Sequence, residues 1–202
     1  MKKNITFQNI LIFYTGSVTL VFLYFVLSGF QMFPNDEVSV KRLNILNEDG
    51  TPFFVISNPE RTPPPKLNGV EFERQVAGGG ATLYNHDSDE RGGFVVLDDQ
   101  ERAMNAVILD YKTTDAIGMF TKESADLKDY VAMLTVNDPD KERKIGHGVQ
   151  RIMVGTQNGN AGITINSTEG NPLLLIQVND QNQIIFKTFD KEGNEVKNLI
   201  DD

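Results

Sequence analysis

The chain has 202 residues and a formal net charge of −9, with no cysteine and no tryptophan. This length is sufficient for one domain with a hydrophobic core. A surface with this acidic excess repels phosphate backbones and anionic lipid headgroups, which disfavours binding to nucleic acid and peripheral binding to lipid. The lack of cysteine excludes disulfides, thiol catalysis and cysteine-ligated metals.

An uncharged apolar run, ILIFYTGSVTLVFLYFVLSGF, extends from Ile10 to Phe30. A helix rises about 1.5 Å per residue, so this run spans roughly the 30 Å hydrocarbon thickness of a bilayer. It also lacks the polar face of a helix packed on a globular core. We therefore predict a transmembrane helix over residues 10–31, preceded by a tail at residues 1–9. A cleaved signal peptide is the alternative, although its apolar region is usually only about 7–15 residues long.

The charges on the two sides of this run differ in sign. Lys2 and Lys3 precede it, whereas Asp36 and Glu37 follow it. Positively charged flanks tend to stay in the cytoplasm. We therefore expect a single-pass protein of the cell (inner) membrane with a cytoplasmic N-terminus. A linker at residues 32–40 would then lead to an extracytoplasmic domain at residues 41–202.

A repeated pattern of apolar run, polar turn and apolar run fills that domain. The turns contain Asn47, Asn85, Asp110, Asn137, Asn166 and Asp190, which are separated by 38, 25, 27, 29 and 24 residues. Turns rich in Asn, Asp and Gly between short apolar runs are typical of β-hairpins. The pattern predicts an all-β domain of about six antiparallel hairpins, with an insertion after the first.

The apolar runs are of two kinds. Runs around Ile45, Leu83 and Ile163 alternate apolar with polar residues, as in half-buried strands. Four others are unbroken, at residues 53–56, 94–97, 106–109 and 173–176, and such runs suit strands covered on both faces. This leaves a sandwich, a filled barrel and a propeller-like arrangement open. Residues 121–130 are predicted to form the one short helix of the domain.

The insertion, at residues 58–80, has the sequence NPERTPPPKLNGVEFERQVAGGG. Its prolines favour extended backbone and its three glycines provide a flexible exit. A long irregular segment on a compact domain is either a functional loop or a spacer between hairpins. The sequence leaves both interpretations open.

Candidate catalytic and metal-binding residues are few. His86 and His147 lie in turn-like segments without an evident partner, which predicts solvated turn residues. Asn85, Asp87 and Asp89 place oxygen atoms at alternate positions, as a calcium loop does. The following residues nevertheless depart from an EF-hand, which needs glycine at position six and glutamate at position twelve. No nucleophile, phosphate-loop or zinc-protease motif occurs. We therefore expect no enzymatic activity and no cofactor.

Two segments, RLNILNEDGTPFFVISNPERTPPP and GGGATLYNHDSDERGG, carry a recognisable pattern. It consists of a strand, an acidic-Gly turn, ISN followed by Arg and prolines, and YN followed by an acidic residue and a Gly pair. The matching positions are Ile56, Ser57, Asn58, Arg61, Pro63, Tyr84, Asn85, Glu90, Gly92 and Gly93. In these residues the chain resembles a family of uncharacterised bacterial proteins that are membrane-anchored and built of repeated β-hairpins. The resemblance covers most of residues 40–200 and implies an exported domain, without implying an activity.

Three functional hypotheses follow. The leading one is a non-enzymatic binding or scaffolding protein, such as an accessory subunit of a membrane protein complex, with a protein partner in or near the membrane. A glycan- or cell-wall-binding module is the second, and it would need Tyr84 or Tyr111 as an exposed aromatic platform. A hydrolase that uses paired carboxylates from the Asp-rich turns is the third.

The predicted interaction surface lies at the exit of the first hairpin and at the second turn. It comprises Asn58, Arg61, Pro63, Pro64, Pro65, Tyr84 and Asn85. Arginine forms forked ion pairs, and a proline-rich loop loses little entropy on binding. Arg61 would pair either with a partner carboxylate or with the acidic turn that contains Asp89 and Glu90.

Overall fold

The computed structural model describes residues 6–29, 37–74 and 78–199. The chain divides into an N-terminal unit, Met1–Val40, and a β unit, Lys41–Asp202. Parts of three predicted segments lie outside the described residues: positions 1–5 of the tail, 30–31 of the transmembrane helix and 32–36 of the linker. Positions 75–77 of the insertion and the last three residues also lie outside them.

The N-terminal helix α1 runs from Phe7 to Gly29. Its segment Phe7–Ser28 has a mean hydropathy of 2.2, and it is the one helix in the described ranges that is long and apolar enough to cross a membrane. Thr15 and Thr19 donate their hydroxyl hydrogens to the carbonyl oxygens of Leu11 and Thr15, so these polar groups are satisfied within the helix. A helix is therefore confirmed where the apolar run predicted one. A signal sequence would meet the same criteria of length and composition.

The β unit consists of antiparallel strands, which confirms the predicted fold class. The strands are β1 (Arg42–Leu46), β2 (Pro52–Ser57), β3 (Lys66–Leu67), β4 (Val70–Glu71), β5 (Gly79–Tyr84), β6 (Glu90–Asp98), β7 (Arg102–Asp110), β8 (Asp115–Ser124), β9 (Tyr130–Pro139), β10 (Gly148–Gln157), β11 (Asn160–Asn166), β12 (Pro172–Val178), β13 (Ile184–Phe189) and β14 (Glu195–Asn198). A short 3₁₀ turn, Pro59–Arg61, follows β2.

Twelve of these strands form one sheet in the order β1-β2-β5-β6-β7-β8-β9-β10-β11-β12-β13-β14. Apart from the insertion, each strand pairs with the strand that precedes it and with the strand that follows it. The insertion contributes the separate β3-β4 ribbon. The topology, which the sequence left open, is thus a meander with β1 and β14 at its edges within the described residues.

Four of the turns at one end of the sheet share one geometry. In the turns that begin at Asn47, Asn85, Ser167 and Asp190, the N–H of the first residue donates to the carbonyl of the fifth. The fourth residue of each has a positive φ, and it is Gly50, Ser88, Gly170 and Gly193, respectively. Such a turn ends in a left-handed residue, which explains the Asn, Asp and Gly content of the repeat.

A β-bulge accompanies each of the six hairpins whose turns lie at this end of the sheet. Register shifts occur at Ile45/Leu46, Leu83/Tyr84, Leu109/Asp110, Gln150/Ile152, Ile165/Asn166 and Thr188/Phe189. The sequence repeat therefore corresponds to a hairpin, its bulge and the connection to the next hairpin. Since a bulge changes which face a side chain points to, these positions determine what lies at that end of the sheet.

The prediction of a helix at residues 121–130 is wrong. Thr121–Ser124 continue β8, which pairs with β7 and β9. The residues after Ser124 form a turn in which Leu127 has a positive φ of 59°. The segment has no apolar stripe that a helix could bury, so cross-strand pairing determines its structure.

The two faces of the sheet differ in what covers them. Val55, Thr82, Tyr84 and Ala106 share the face on which the insertion lies, and all are less than 10% exposed. On the opposite face, in contrast, Phe94 and Val96 are 46% and 40% exposed. The unbroken apolar run at residues 94–97 is therefore covered on one face only, and the buried core residues lie on the side of the insertion.

Candidate functional site

The insertion is attached to the sheet by specific hydrogen bonds. Thr62 Oγ1 donates to the carbonyl of Gly78 at 2.9 Å, which closes the base of the insertion. The N–H of Gly69, in the β3-β4 ribbon, donates to Oδ1 of the buried Asp89 at 2.8 Å. A segment bonded at its base and at its tip is a fixed cover on the sheet rather than a loose spacer.

An ion pair adds a third attachment. Arg74 Nη2 lies 2.9 Å from Glu90 Oε2, and Arg74 Nε donates to the carbonyl of Pro63. Both charged side chains are largely shielded, with 22% and 16% exposure. Glu90 reaches this position because the bulge at Leu83/Tyr84 pairs it with Tyr84, on the covered face.

A cavity of about 440 Å³ lies between the insertion and the sheet. Its apolar walls come from both sides: Pro65, Leu67 and Phe72 of the insertion, and Val95, Met104 and Ile108 of the sheet. Gly80 and Gly93 also line it, and a Cβ on Gly93 would collide with the carbonyl oxygen of Ala81. This volume is within the usual range of small-molecule sites, about 300–1,000 Å³.

Two carboxyl groups meet at one side of the cavity. Asp110 and Asp115 are register partners across the β7-β8 hairpin, and both line the cavity. Burial, the charges of Asp115 and Glu90, and a hydrogen bond to the Asp115 carboxyl together raise the pKa of Asp110 to about 7, against a lowering by Arg91. The Asp110 carboxyl therefore takes up a proton more readily than an ordinary aspartate does.

Polar atoms beneath the insertion lack hydrogen-bond partners. Within the described residues, Asp110 Oδ1 and the Tyr84 hydroxyl are buried without one. Burial also raises the pKa of Tyr84, followed in effect by the charge of Glu90. Native structures leave few buried polar groups unpaired, so each such group is a candidate for a ligand contact.

The opposite face carries two continuous apolar rows across the sheet. The first row, in register order, is Leu43, Ile56, Ala81, Phe94, Val107, Met119, Leu134, Val154, Ile163, Ile176 and Phe186. The second row is Ile45, Phe54, Leu83, Gly92, Leu109, Ile117, Val136, Ile152, Ile165 and Leu174. We call these two rows the apolar face. At about 4.8 Å per strand, it extends for nearly 50 Å.

The apolar face is exposed over most of its length. Twelve of its side chains are between 36% exposed, at Leu83, and 55% exposed, at Met119. They are Leu43, Ile45, Ile56, Leu83, Phe94, Val107, Leu109, Met119, Val154, Ile163, Ile165 and Ile176. Together they present on the order of 1,000 Å² of apolar surface, whereas the largest patch on a typical monomer is about 300–600 Å².

The predicted interaction residues occupy different environments. Tyr84 is buried, and Asn85 closes its own turn by accepting a hydrogen bond from the N–H of Asp89. Pro65 lines the cavity and Pro63 bonds Arg74 through its carbonyl, whereas Arg61 and Pro64 are exposed. Asn58 precedes the 3₁₀ turn, and its Oδ1 is buried without a hydrogen-bond partner among the described residues.

The acidic turn has basic partners other than Arg61. Glu90 pairs with Arg74, and Asp89 lies 3.7 Å from Arg91. In the described ranges no ion pair joins Arg61 to a carboxylate. The turn therefore does not use Arg61 for its charge balance, and the side chain is available for other contacts.

The histidines and the acidic loop have mainly structural surroundings. His86 is 85% exposed and lies 3.9 Å from Asp49, in a neighbouring turn. The Asp89 carboxylate already accepts a hydrogen bond from the N–H of Gly69. The backbone carbonyl of Asp87 accepts one from Lys66 Nζ. Across the described residues, no group of three or more His, Asp or Glu side chains is placed to hold a metal ion.

Sequence reasoning missed the cavity-lining charges. The sequence pattern indicates Asp110 only as a turn residue, and it gives no functional signal at Asp115, Arg74 or Phe72. The available signal was a charged pair, Asp110 and Asp115, that flanks a four-residue turn at the end of apolar strands. The structure brings two carboxyl groups together, which is the first geometric condition of the hydrolase hypothesis. That hypothesis stays a prediction.

No protein-family model, no curated protein and no solved structure matches the chain.

Proposed function

We propose that the protein is a single-pass, membrane-anchored, non-enzymatic binding protein whose β domain docks a protein partner through the apolar face. The observation that carries this proposal is the pair of apolar rows, which run across eleven strands and are largely exposed. A stable protein–protein interface buries about 800 Å² on each partner, and the apolar face offers at least that area.

A protein is the occupant that suits this surface best. The rest of the β unit is acidic, with 28 Asp and Glu against 19 Lys and Arg in the whole chain, so anionic lipid headgroups are disfavoured. The exposed side chains are aliphatic or aromatic and stand on regular strands, so they form a surface that matches another packed surface. Sheets stack face to face at about 10 Å, which makes a flat apolar partner the expected one.

The anchor and its orientation belong to the same proposal. Helix α1 supplies the span, and Lys2 and Lys3 before it favour a cytoplasmic N-terminus in the inner membrane. The β domain would then be extracytoplasmic and would meet its partner at the membrane. An alkaline-phosphatase fusion after Asp202 tests the orientation, because that enzyme is active only outside the cytoplasm. A stable but inactive fusion would refute it.

The exposed residues at the first-hairpin exit, Arg61 and Pro64, provide a second contact in this proposal. Arg61 can form an ion pair with a carboxylate of the partner, because the acidic turn is already paired with Arg74 and Arg91. Arg61→Ala is expected to weaken association while leaving the melting temperature nearly unchanged.

The docking proposal is tested with the full chain purified in mild detergent. Its mass and its co-eluting proteins are measured for the wild type, for the double variant Val107→Gln/Met119→Gln and for Leu127→Gln. Leu127 is the control because it is an apolar residue that is more exposed still, at 68%, and lies in the β8-β9 turn, outside the apolar face.

The proposal predicts a stoichiometric protein partner, either a different protein or a second copy, with the wild type and with Leu127→Gln. The double variant should lose this partner without a drop in melting temperature. A wild-type monomer without a companion, or equal binding by all three proteins, would overturn the proposal.

A further inference from the structure

We propose that the cavity beneath the insertion binds an organic cation, with an ammonium or guanidinium group at the Asp110–Asp115 pair and an apolar body between the insertion and the sheet. This site lies on the face of the sheet opposite the apolar rows. The inference therefore does not depend on the docking proposal, and its test can succeed or fail separately.

The charge around the cavity favours a cation. Five charged side chains line it: Glu73, Arg74, Glu90, Asp110 and Asp115. Four are acidic, and the single arginine is already paired with Glu90 at 2.9 Å. The Asp110–Asp115 pair and Glu73 are left without a cation inside the cavity, so an anionic ligand would be repelled.

The Asp110 carboxyl is the natural anchor for such a group. Its Oδ1 is buried and has no hydrogen-bond partner in the described part of the chain. The charged groups that influence its pKa are the acidic Asp115 and Glu90 and the basic Arg91. Arg91 lies 3.7 Å from Asp89, with which it forms an ion pair. An ammonium or guanidinium N–H at this point would satisfy the buried oxygen and displace the proton of Asp110.

The apolar walls specify the rest of the ligand. Leu67 and Phe72 of the insertion face Val95 and Ile108 of the sheet across the cavity. A bare metal ion would leave these walls in contact with water, and it would find only the one carboxyl pair as ligands. A ligand with a hydrocarbon or aromatic body buries the walls and the carboxyl pair together.

The fixed cover makes the cavity a preformed site. Thr62 closes the base of the insertion on Gly78, Gly69 donates a hydrogen bond to Asp89, and Arg74 pairs with Glu90. A preformed pocket costs little ordering on binding, so a small cation can bind with useful affinity.

The cationic group of the ligand can belong either to a free amine or to a lysine or arginine side chain of a peptide. The experiment therefore has two arms, both with the full chain in mild detergent. In the first arm, calorimetry compares the binding affinity of phenethylammonium with that of its neutral analogue, phenethyl alcohol. In the second arm, calorimetry compares the affinities of two peptides, each acetylated and amidated at its ends. One has a single lysine between leucines, and the other has norleucine in place of the lysine.

Binding of a cation is expected to release a proton near pH 7, so the affinity for the amine should rise from pH 6 to pH 8. The substitutions Asp110→Asn and Asp115→Asn should each weaken it by about ten- to a hundred-fold, as loss of a charged hydrogen bond does. Asp180→Asn, an exposed turn residue, is the matched control. Asp115 is also exposed, so its variant is expected to fold in any case.

Preference for either cation over its neutral analogue, lost in the two variants and kept in the control, supports the site and identifies the source. Equal binding of cation and neutral analogue in both arms would overturn the proposal. Unchanged affinity in both Asp110→Asn and Asp115→Asn would overturn it as well.

Discussion

Asp110 and Asp115 face the same cavity because a β-bulge lies between them. Leu109 pairs with Ile117, but Asp110 pairs with Asp115, so Ala116 is left out of the register. Without the bulge, the residue opposite Asp110 would be Ala116 and the second carboxyl would point away. The same device places Glu90 opposite Tyr84. Two bulges thus assemble three carboxyl groups beneath the insertion.

The raised pKa of Asp110 predicts a stability that falls as the pH rises. The carboxyl titrates near pH 3.9 in the unfolded chain and at about 7 in the folded protein. Between these values the folded state binds more protons, so the free energy of unfolding decreases from about pH 4 to pH 7. The loss is on the order of 2–4 kcal/mol, because partial exposure of the group screens it.

Asp110→Asn isolates this effect from the other carboxylates. The variant should melt at a higher temperature than the wild type at pH 8, and the difference should vanish near pH 4.5. Thermal unfolding followed by circular dichroism at the two pH values measures it. A variant that is less stable than the wild type at pH 8 would contradict the assignment of a buried, unfavourable charge.

Two valines of central strands are expected to differ in their contribution to stability. Val55 is 1% exposed on the covered face, whereas Val107 is 41% exposed on the apolar face. Val55→Ala removes packed methyl groups and should cost about 2 kcal/mol, with Val107→Ala costing well under 1. Chemical denaturation of both variants measures the two values, and equal losses would show that the apolar face is covered within the folded chain.

The sequence predicted the hairpins because turn chemistry is local. Gly50, Gly170 and Gly193 occupy left-handed positions that glycine adopts without strain, and the residues that open each turn are Asn, Ser or Asp. These residue types are visible without any tertiary information. The all-β class and the period of the repeat followed from them directly.

The faces of the sheet could not be predicted in the same way. Residues 94–97 are apolar throughout, yet Leu97 is buried and Phe94 is exposed. An unbroken apolar run has no polar residue to show which side is covered, so it was interpreted as covered on both. What covers one side is the insertion, and its proline-rich sequence gives no indication of where it folds back.

The cavity was missed for a related reason. Asp115 reaches it through a bulge and Arg74 through a chain reversal in the β3-β4 ribbon. Neither feature has a residue signature comparable to the turn glycines. The sequence offers Arg61 as one possible partner for the acidic turn, but the structure supplies Arg74 instead.

The Arg74–Glu90 pair is expected to hold the insertion in place. Arg74→Ala leaves a shielded carboxylate without its partner, so unfolding should become easier by about 1–3 kcal/mol. Hydrogen exchange of residues 62–74 should increase more than that of the central strands, because the cover detaches first. Lys141→Ala is the control, since its pair with Glu169 is exposed and should contribute nothing measurable. Equal exchange in wild type and Arg74→Ala would show that the other two attachments suffice.

Ser88 is the position at which one of the repeated turns departs from glycine. It has φ = 60°, where the equivalent Gly50, Gly170 and Gly193 have 84°, 90° and 88°. A residue with a Cβ is strained in the left-handed region by about 1–2 kcal/mol, part of which is offset by the greater freedom of glycine in the unfolded chain.

Ser88→Gly should therefore stabilise the protein by about 0.5–1 kcal/mol, and Gly170→Ser should destabilise it by a similar amount. No side-chain hydrogen bond of Ser88 is present among the described residues, so its removal carries no other cost. The melting temperatures of the two variants and of the wild type test this prediction. The expected order is Ser88→Gly above wild type above Gly170→Ser, and a decrease for Ser88→Gly would mean that the serine hydroxyl makes a contact worth more than the backbone strain.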